Sequence, residues 1–305
     1  MKQFDIAGRS KIWFIISLLI IVPGIFSMCT RGFNFGIDFT GGTIIDLKFD
    51  EPVTIQQVRT VMGKYGLDNS TIQLSGATSD VESSPSVMIR TIDMEEGNRK
   101  QVMASLKEEI GNYTVQREEK VGATMGKDLI LNAVYAMLIS WVLIVLYVSY
   151  RFEWRFGISA VLALIHDILV VLSAFSLFQR PLDSSFVAAL LTVVGYSIND
   201  TIVIFDRIRE NLKLHFRRDG DIYELVNRSV YQTLTRSIYT VCTVLFTTIA
   251  LFVFGGDTTK DFSFALLVGF ASGCYSSIFI ASPLWIWLHN MEEKKKQEKK
   301  VLAAK

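Results

Sequence analysis

The chain is short of charge. Only 20% of its 305 residues are Asp, Glu, Lys or Arg, while 50% are hydrophobic, and the mean hydropathy is +0.35. A soluble domain of this size carries more charge and less apolar bulk. A formal net charge of +1 gives none of the basic excess that a nucleic-acid partner requires. Cysteine is scarce too: Cys29, Cys242 and Cys274 each fall in or beside an apolar run. That spacing suits neither a disulfide framework nor a metal site, and leaves them as small buried hydrophobes. The glycine-rich "FGIDFTGGT" lacks the Gly-Lys-Ser/Thr ending of a phosphate-binding loop, so the chain carries no ATP-driven engine and calls for no cofactor.

What is present is apolar length. Six segments, near 12–29, 129–149, 157–178, 185–205, 237–255 and 262–288, are long enough to span a bilayer at ~1.5 Å rise per residue. Lys and Arg distribution orients them. With the N-terminus inside, the inner segments hold Lys2, Arg9 and Lys11, then Arg151 and Arg155, then seven across 206–236 and six in the tail, eighteen in all. The short outer loops hold Arg180 and Lys260. The expectation is a multi-pass protein of the cytoplasmic membrane with cytoplasmic ends at 1–11 and 291–305 and one exported region, 30–128. The apolar stretch of the first segment is too long for a signal peptide, no small-x-small cleavage site follows it, and "FSMC" places Met28 where a lipoprotein signal needs a small residue. Pro23-Gly24 is expected to bend it.

Within 30–128 the periods alternate. "GTIIDLKF" reads as a strand and "TIQQVRTVMGKYG" as a helix. "STIQLSG" and "SVMIRTI" read as strands, "GNRKQVMASLKEEIG" as a helix and "YTVQREEKV" as a last strand. The order β-α-β-β-α-β predicts a ferredoxin-like α+β domain. It has no histidine or cysteine and no paired catalytic spacing, which suits a binding or mechanical module rather than an enzyme.

The polar residues inside the spans are the chemical signal. Asp200 lies 17 residues past Asp183, ~25 Å of helix, and the run Ile202–Phe205 follows before charge takes over. A central aspartate costs about 2.5–3.5 kcal/mol to insert, so such residues face a bundle interior and carry function. The competing reading ends the helix near Asn199 and leaves Asp200 interfacial. Arg236, at the start of the fifth span, is by itself an ordinary inner anchor, yet an antiparallel neighbour could bring it to Asp200. His166-Asp167 lies ~15 Å deep counted from Gly157, either as a structural pair or on an ion path. Ser197 and Asn199, with Thr240, Thr243, Ser272 and Ser276, suit close helix packing and interhelical hydrogen bonds. "FDRIRENLKLHF", opening the 206–236 segment, reads as an amphipathic helix lying on the inner surface, and the basic tail can touch anionic membrane lipid.

Four blocks carry a resemblance across the chain: "FNFGIDFTGGT" (33–43), "FEWRFGISAVLALIHD" (152–167), "GYSINDTIVIFDRIREN" (195–211) and "QTLTRS" (232–237). Together they resemble the SecF family of the bacterial Sec protein translocase, a half-unit of the resistance-nodulation-division type. The resemblance implies a SecD-like second half-unit, the SecYEG channel, SecA and a translocating preprotein as partners. It implies export assisted by a proton or sodium gradient, with Asp200 and Arg236 on the ion pathway.

Burial without a partner favours the protonated carboxyl, and contact with a guanidinium favours the carboxylate. A site that alternates between the two loads and releases a cation. A half-unit of an ion-driven lipid or small-amphiphile exporter is the alternative. An intramembrane aspartyl protease built on Asp167 and Asp200 is a poor third, because "SIND" is not a Gly-x-Gly-Asp setting.

Overall fold

The structure is a computed structural model, and it describes residues 5–68, 70–75, 83–92, 94, 96–215 and 220–303. In chain order it runs α1 (Ser10–Thr30), β1 (Asn34–Phe35), α2 (Ile37–Thr40), β2 (Gly42–Thr54), α3 (Ile55–Gly63), β3 (Thr71–Ser75) and β4 (Ser83–Thr91). It continues through α4 (Glu96–Glu109), β5 (Tyr113–Val121), α5 (Ala123–Arg151), α6 (Trp154–Phe178), β6 (Pro181–Leu182), α7 (Ser184–His215) and α8 (Ile222–Phe254). α9 (Asp257–Ser276), a π-helical turn (Ser277–Ala281) and α10 (Ser282–Ala303) complete it. Two compact units result: residues 35–134 with 181–184, and the remainder.

The smaller unit is α+β. Its sheet has the strand order β3-β4-β2-β5, and every neighbouring pair is antiparallel. β2 alternates so that Ile45, Leu47 and Phe49 are buried with Val58, Met62, Val102 and Leu106 of α3 and α4, as a period-2 strand under a pair of amphipathic helices requires. α3 starts on a capping box: Gln57 N–H donates to the Thr54 hydroxyl, and the Gln57 side chain accepts from Thr54 N–H. The chain enters β2 through Gly41 and Gly42, at φ 73° and 141°, a backbone region that side chains disfavour.

The larger unit contains the helical bundle. Among the described residues six helical stretches are long and apolar enough to cross a membrane: Ser10–Thr30, Gly126–Arg151, Trp154–Phe178, Ser184–Leu214, Ile222–Phe254 and Thr259–Lys299. At one end the core is aromatic. Phe156 of α6 stacks on Trp285 of α10 at 4.9 Å and meets Phe205 of α7 at 4.8 Å. Ile6 and Ala7 are buried in the same cluster. Their N–H groups donate to Asn227 Oδ1 of α8 at 3.0 and 2.9 Å, and Asn227 Nδ2 donates to Asp5 Oδ1 at 2.7 Å. The segment before α1 is thereby fastened to α8.

Several boundaries differ from the hydropathy reading. The 206–236 region is not a separate amphipathic helix: 206–215 prolongs α7 and 222–236 opens α8. The charges past Phe205 sustain helix through Arg207–Glu210 and Arg209–Asp206 pairs at i,i+3, and Asp221 caps α8 by accepting from Tyr223 N–H. The basic tail is helical to Ala303. α1 passes through Pro23 as one helix; Gly24 faces Ser173 of α6 so closely that a Cβ there would collide with it. The π turn precedes Pro283, which has no N–H for the Phe279 carbonyl one turn back.

Candidate functional site

Two polar clusters lie between the apolar helices. The first is built around Asp167 of α6, which is 1% exposed. Its Oδ1 accepts from Ser272 Oγ of α9 at 2.7 Å. Its Oδ2 accepts from Ser197 Oγ of α7 at 2.7 Å and from Ser276 Oγ of α9 at 2.8 Å. His166 Nδ1 lies 3.2 Å from Asp167 Oδ1, and its Nε2 lies 2.9 Å from Ser17 Oγ of α1. Four helices meet there, and both carboxylate oxygens are satisfied by donors. Gly273 lets α9 come close enough to Ser197 for this, since a Cβ would stand 2.9 Å from the Ser197 Cβ.

The second cluster is different in kind. Asp200 of α7 is partly buried, and its Oδ1 accepts from Ser237 Oγ of α8 at 2.6 Å. Its Oδ2 is buried with no hydrogen-bond partner. Arg236, next to Ser237, is exposed and acts on Asp200 electrostatically, while no carboxylate lies within 4.0 Å of its guanidinium among the described residues. Beside Asp200, Thr201 Oγ1 and Ser277 Oγ of the π turn are 2.8 Å apart, and Ser277 Oγ donates to the Ser197 carbonyl. One carboxylate is thus fully coordinated and the other half open. An open lone pair in a low-dielectric setting is where a proton or a small cation binds.

Of the residues singled out from the sequence, the structure gathers His166, Asp167 and Ser197 into one cluster and places Asp200 beside Ser237, near the middle of α8. Asn199 is exposed on α7 and outside both clusters. Ser237, Ser17 and Thr201 went unread, because a lone hydroxyl in an apolar helix carries no periodic signal. Ser272 and Ser276 were legible as packing positions but not as ligands of a carboxylate.

The model of the family "Protein export membrane protein SecD/SecF, C-terminal" matches residues 101–291, and the "SecD/SecF GG Motif" matches residues 26–53. The protein translocase subunit SecF of Acidaminococcus fermentans is 52% identical over 287 residues, covering 94% of this chain and 98% of that protein. The chain belongs to the SecF family. The SecF of Vibrio alginolyticus is 42% identical, over 96% of this chain and 92% of its own length. Among solved structures, the translocon-associated membrane protein SecDF of Thermus thermophilus is similar with a TM-score of 0.83 and 36% identity, covering 94% of this chain. This chain spans 39% of that SecDF chain. Gly41 and Gly42, with their positive φ angles, are the adjacent glycine pair within the matched residues 26–53.

Proposed function

We propose that this chain is the SecF half-unit of a Sec export assembly in the bacterial cytoplasmic membrane. It works with a SecD-like half-unit beside the SecYEG channel and SecA, and uses a proton or sodium gradient to assist the late export of preproteins. It acts as a transport subunit rather than an enzyme. Both termini face the cytoplasm, and the region 30–128 lies outside. The strand order β3-β4-β2-β5 with α3 and α4 supports reading that region as a ferredoxin-like domain that holds or pulls the emerging chain.

Asp200 is the ion carrier in this reading, and the unpartnered Oδ2 is the observation that carries it. Ser237 holds the other oxygen in place, and in this reading Arg236, the neighbour of Ser237 on α8, approaches and withdraws. With the guanidinium near, the carboxylate is favoured; with it away, a cation is taken up. Each charge that crosses yields about 2.3 kcal/mol per 100 mV, enough to drive movement of α7 against α8. Asp167 and His166 serve as the fixed point in this reading: both carboxylate oxygens already accept from serine hydroxyls and both ring nitrogens have partners, so they pack helices rather than carry ions. Vesicles holding the complete assembly test this. Ion uptake down an imposed gradient falls to the leak level with Asp200→Asn, whereas uptake equal to wild type removes Asp200 from the scheme.

A further inference from the structure

At the end of the bundle where α5 finishes and α7 and α8 extend beyond their apolar stretches, a cavity of about 440 Å³ opens. Arg151 of α5, Arg207 of α7 and Arg236 of α8 line it, with Phe152, Ile202 and Val203 as apolar wall. Its two carboxylates are already engaged: Glu210 with Arg207 at 2.7 Å and Asp206 with Arg209 at 2.8 Å. Arg151 lies over the Phe152 ring, 5.5 Å from its centroid. Neither Arg151 nor Arg236 has a carboxylate within 4.0 Å among the described residues. Two free guanidiniums on different helices therefore face one half-apolar cavity. Tyr147 lines it as well, and outside it Tyr150 and Tyr239 stand exposed on α5 and α8, the residue type that settles at the lipid headgroup level.

We propose that this cavity is a binding site for an anionic phospholipid, with the phosphodiester between Arg151 and Arg236 and the acyl chains along the apolar wall and the outer faces of α5 and α8. Guanidinium geometry suits two phosphate oxygens at once, and basic pockets between membrane helices are known to take such headgroups. A free phosphate would satisfy the arginines but leave the wall uncovered. The site needs only the guanidinium of Arg236, so it stands whether or not Asp200 carries ions.

The test is native mass spectrometry of the full-length chain in detergent, titrated with phosphatidylglycerol or phosphatidylcholine. Wild type retains phosphatidylglycerol more tightly by about tenfold or more. Arg151→Gln loses about fivefold of that preference, the worth of one cation near an anionic headgroup. Arg151→Lys keeps an intermediate share. Lys213→Gln, an exposed cation of α7 outside the cavity, changes nothing. Melting temperatures in the same detergent establish that each variant is folded. Equal retention of the two lipids by wild type, or an Arg151→Gln protein as selective as wild type, overturns the proposal. So does displacement of the lipid by millimolar inorganic phosphate, which would mark a simple anion site. Loss of a co-purifying protein chain from Arg151→Gln, with lipid retention unchanged, would assign the face to a protein partner instead.

Discussion

Ser237 Oγ donates to Asp200 Oδ1 at 2.6 Å and so joins α8 to α7 one residue from Arg236. A carboxylate held by one oxygen keeps its orientation while the other stays free to bind. Ser237→Ala is therefore expected to leave the assembly intact but slow gradient-driven export several-fold, because Asp200 loses the one side-chain donor it has among the described residues. Ser237→Thr, which keeps the hydroxyl, restores most of the rate. Export of a reporter preprotein at fixed gradient, with subunit levels checked, reads both. An Ala variant as fast as wild type would leave Ser237 as a packing residue.

Asp167 should behave as a structural residue. Interhelical hydrogen bonds in membranes contribute on average about 0.6 kcal/mol each, and a buried hydroxyl left without its acceptor costs about 1–3 kcal/mol. Asp167→Ala takes the acceptor from the Ser197 and Ser272 hydroxyls and leaves Ser276 only the Gly273 carbonyl, so it should lower the melting temperature of the full chain in detergent far more than Ser272→Ala does. Unchanged melting combined with lost ion uptake would move Asp167 onto the ion path.

The segment before α1 should be sensitive to acid. The Asn227 side chain, then the Gly8 N–H, donate to the Asp5 carboxylate and hold its pKa below the ordinary value, with burial opposing and Arg9 assisting. A carboxylate depressed in the folded state stabilises the clamp above its unfolded pKa, and that contribution is lost as pH falls through the folded one. Hydrogen exchange at Ile6 and Ala7 is expected to be slow at neutral pH and to accelerate, beyond its intrinsic pH dependence, once Asp5 is protonated. Asn227→Ala gives fast exchange at every pH. Protection at Ile6 and Ala7 that survives Asn227→Ala would contradict the clamp.

In the α+β unit, Thr54→Ala removes the hydroxyl half of the α3 capping box and should cost about 1 kcal/mol locally. Faster amide exchange in the first turn of α3, with the β2–β4 pairs unaffected, is the expected pattern. Equal exchange in the two proteins would show that the cap adds nothing measurable.

Much of the bundle was legible, and the reason is simple. Six apolar runs each long enough to span leave few alternatives, and the same composition that makes the runs visible makes the helices. Helix ends were not legible, because hydropathy marks where lipid stops and not where helix stops. α7 crosses from Phe205 into "DRIREN" without a break, since paired charges sustain a helix as well as leucines do. Asp221, an N-cap in plain view, was the available sign that α8 starts well before Arg236. Asp200 and Asp167 stood out as isolated acids, but their different surroundings depend on which hydroxyls converge from other helices. Ser17, Ser197, Ser272 and Ser276 are far apart in the sequence, and packing brings them together.

In the proposed function the half-open carboxylate of Asp200 is the point where an ion gradient becomes movement. Export rate measured against the size of an imposed gradient, for wild type and Asp200→Asn in matched membranes, tests this most directly. The account predicts that the wild-type rate climbs with the gradient while the variant stays flat at the zero-gradient rate. Two parallel slopes would contradict it.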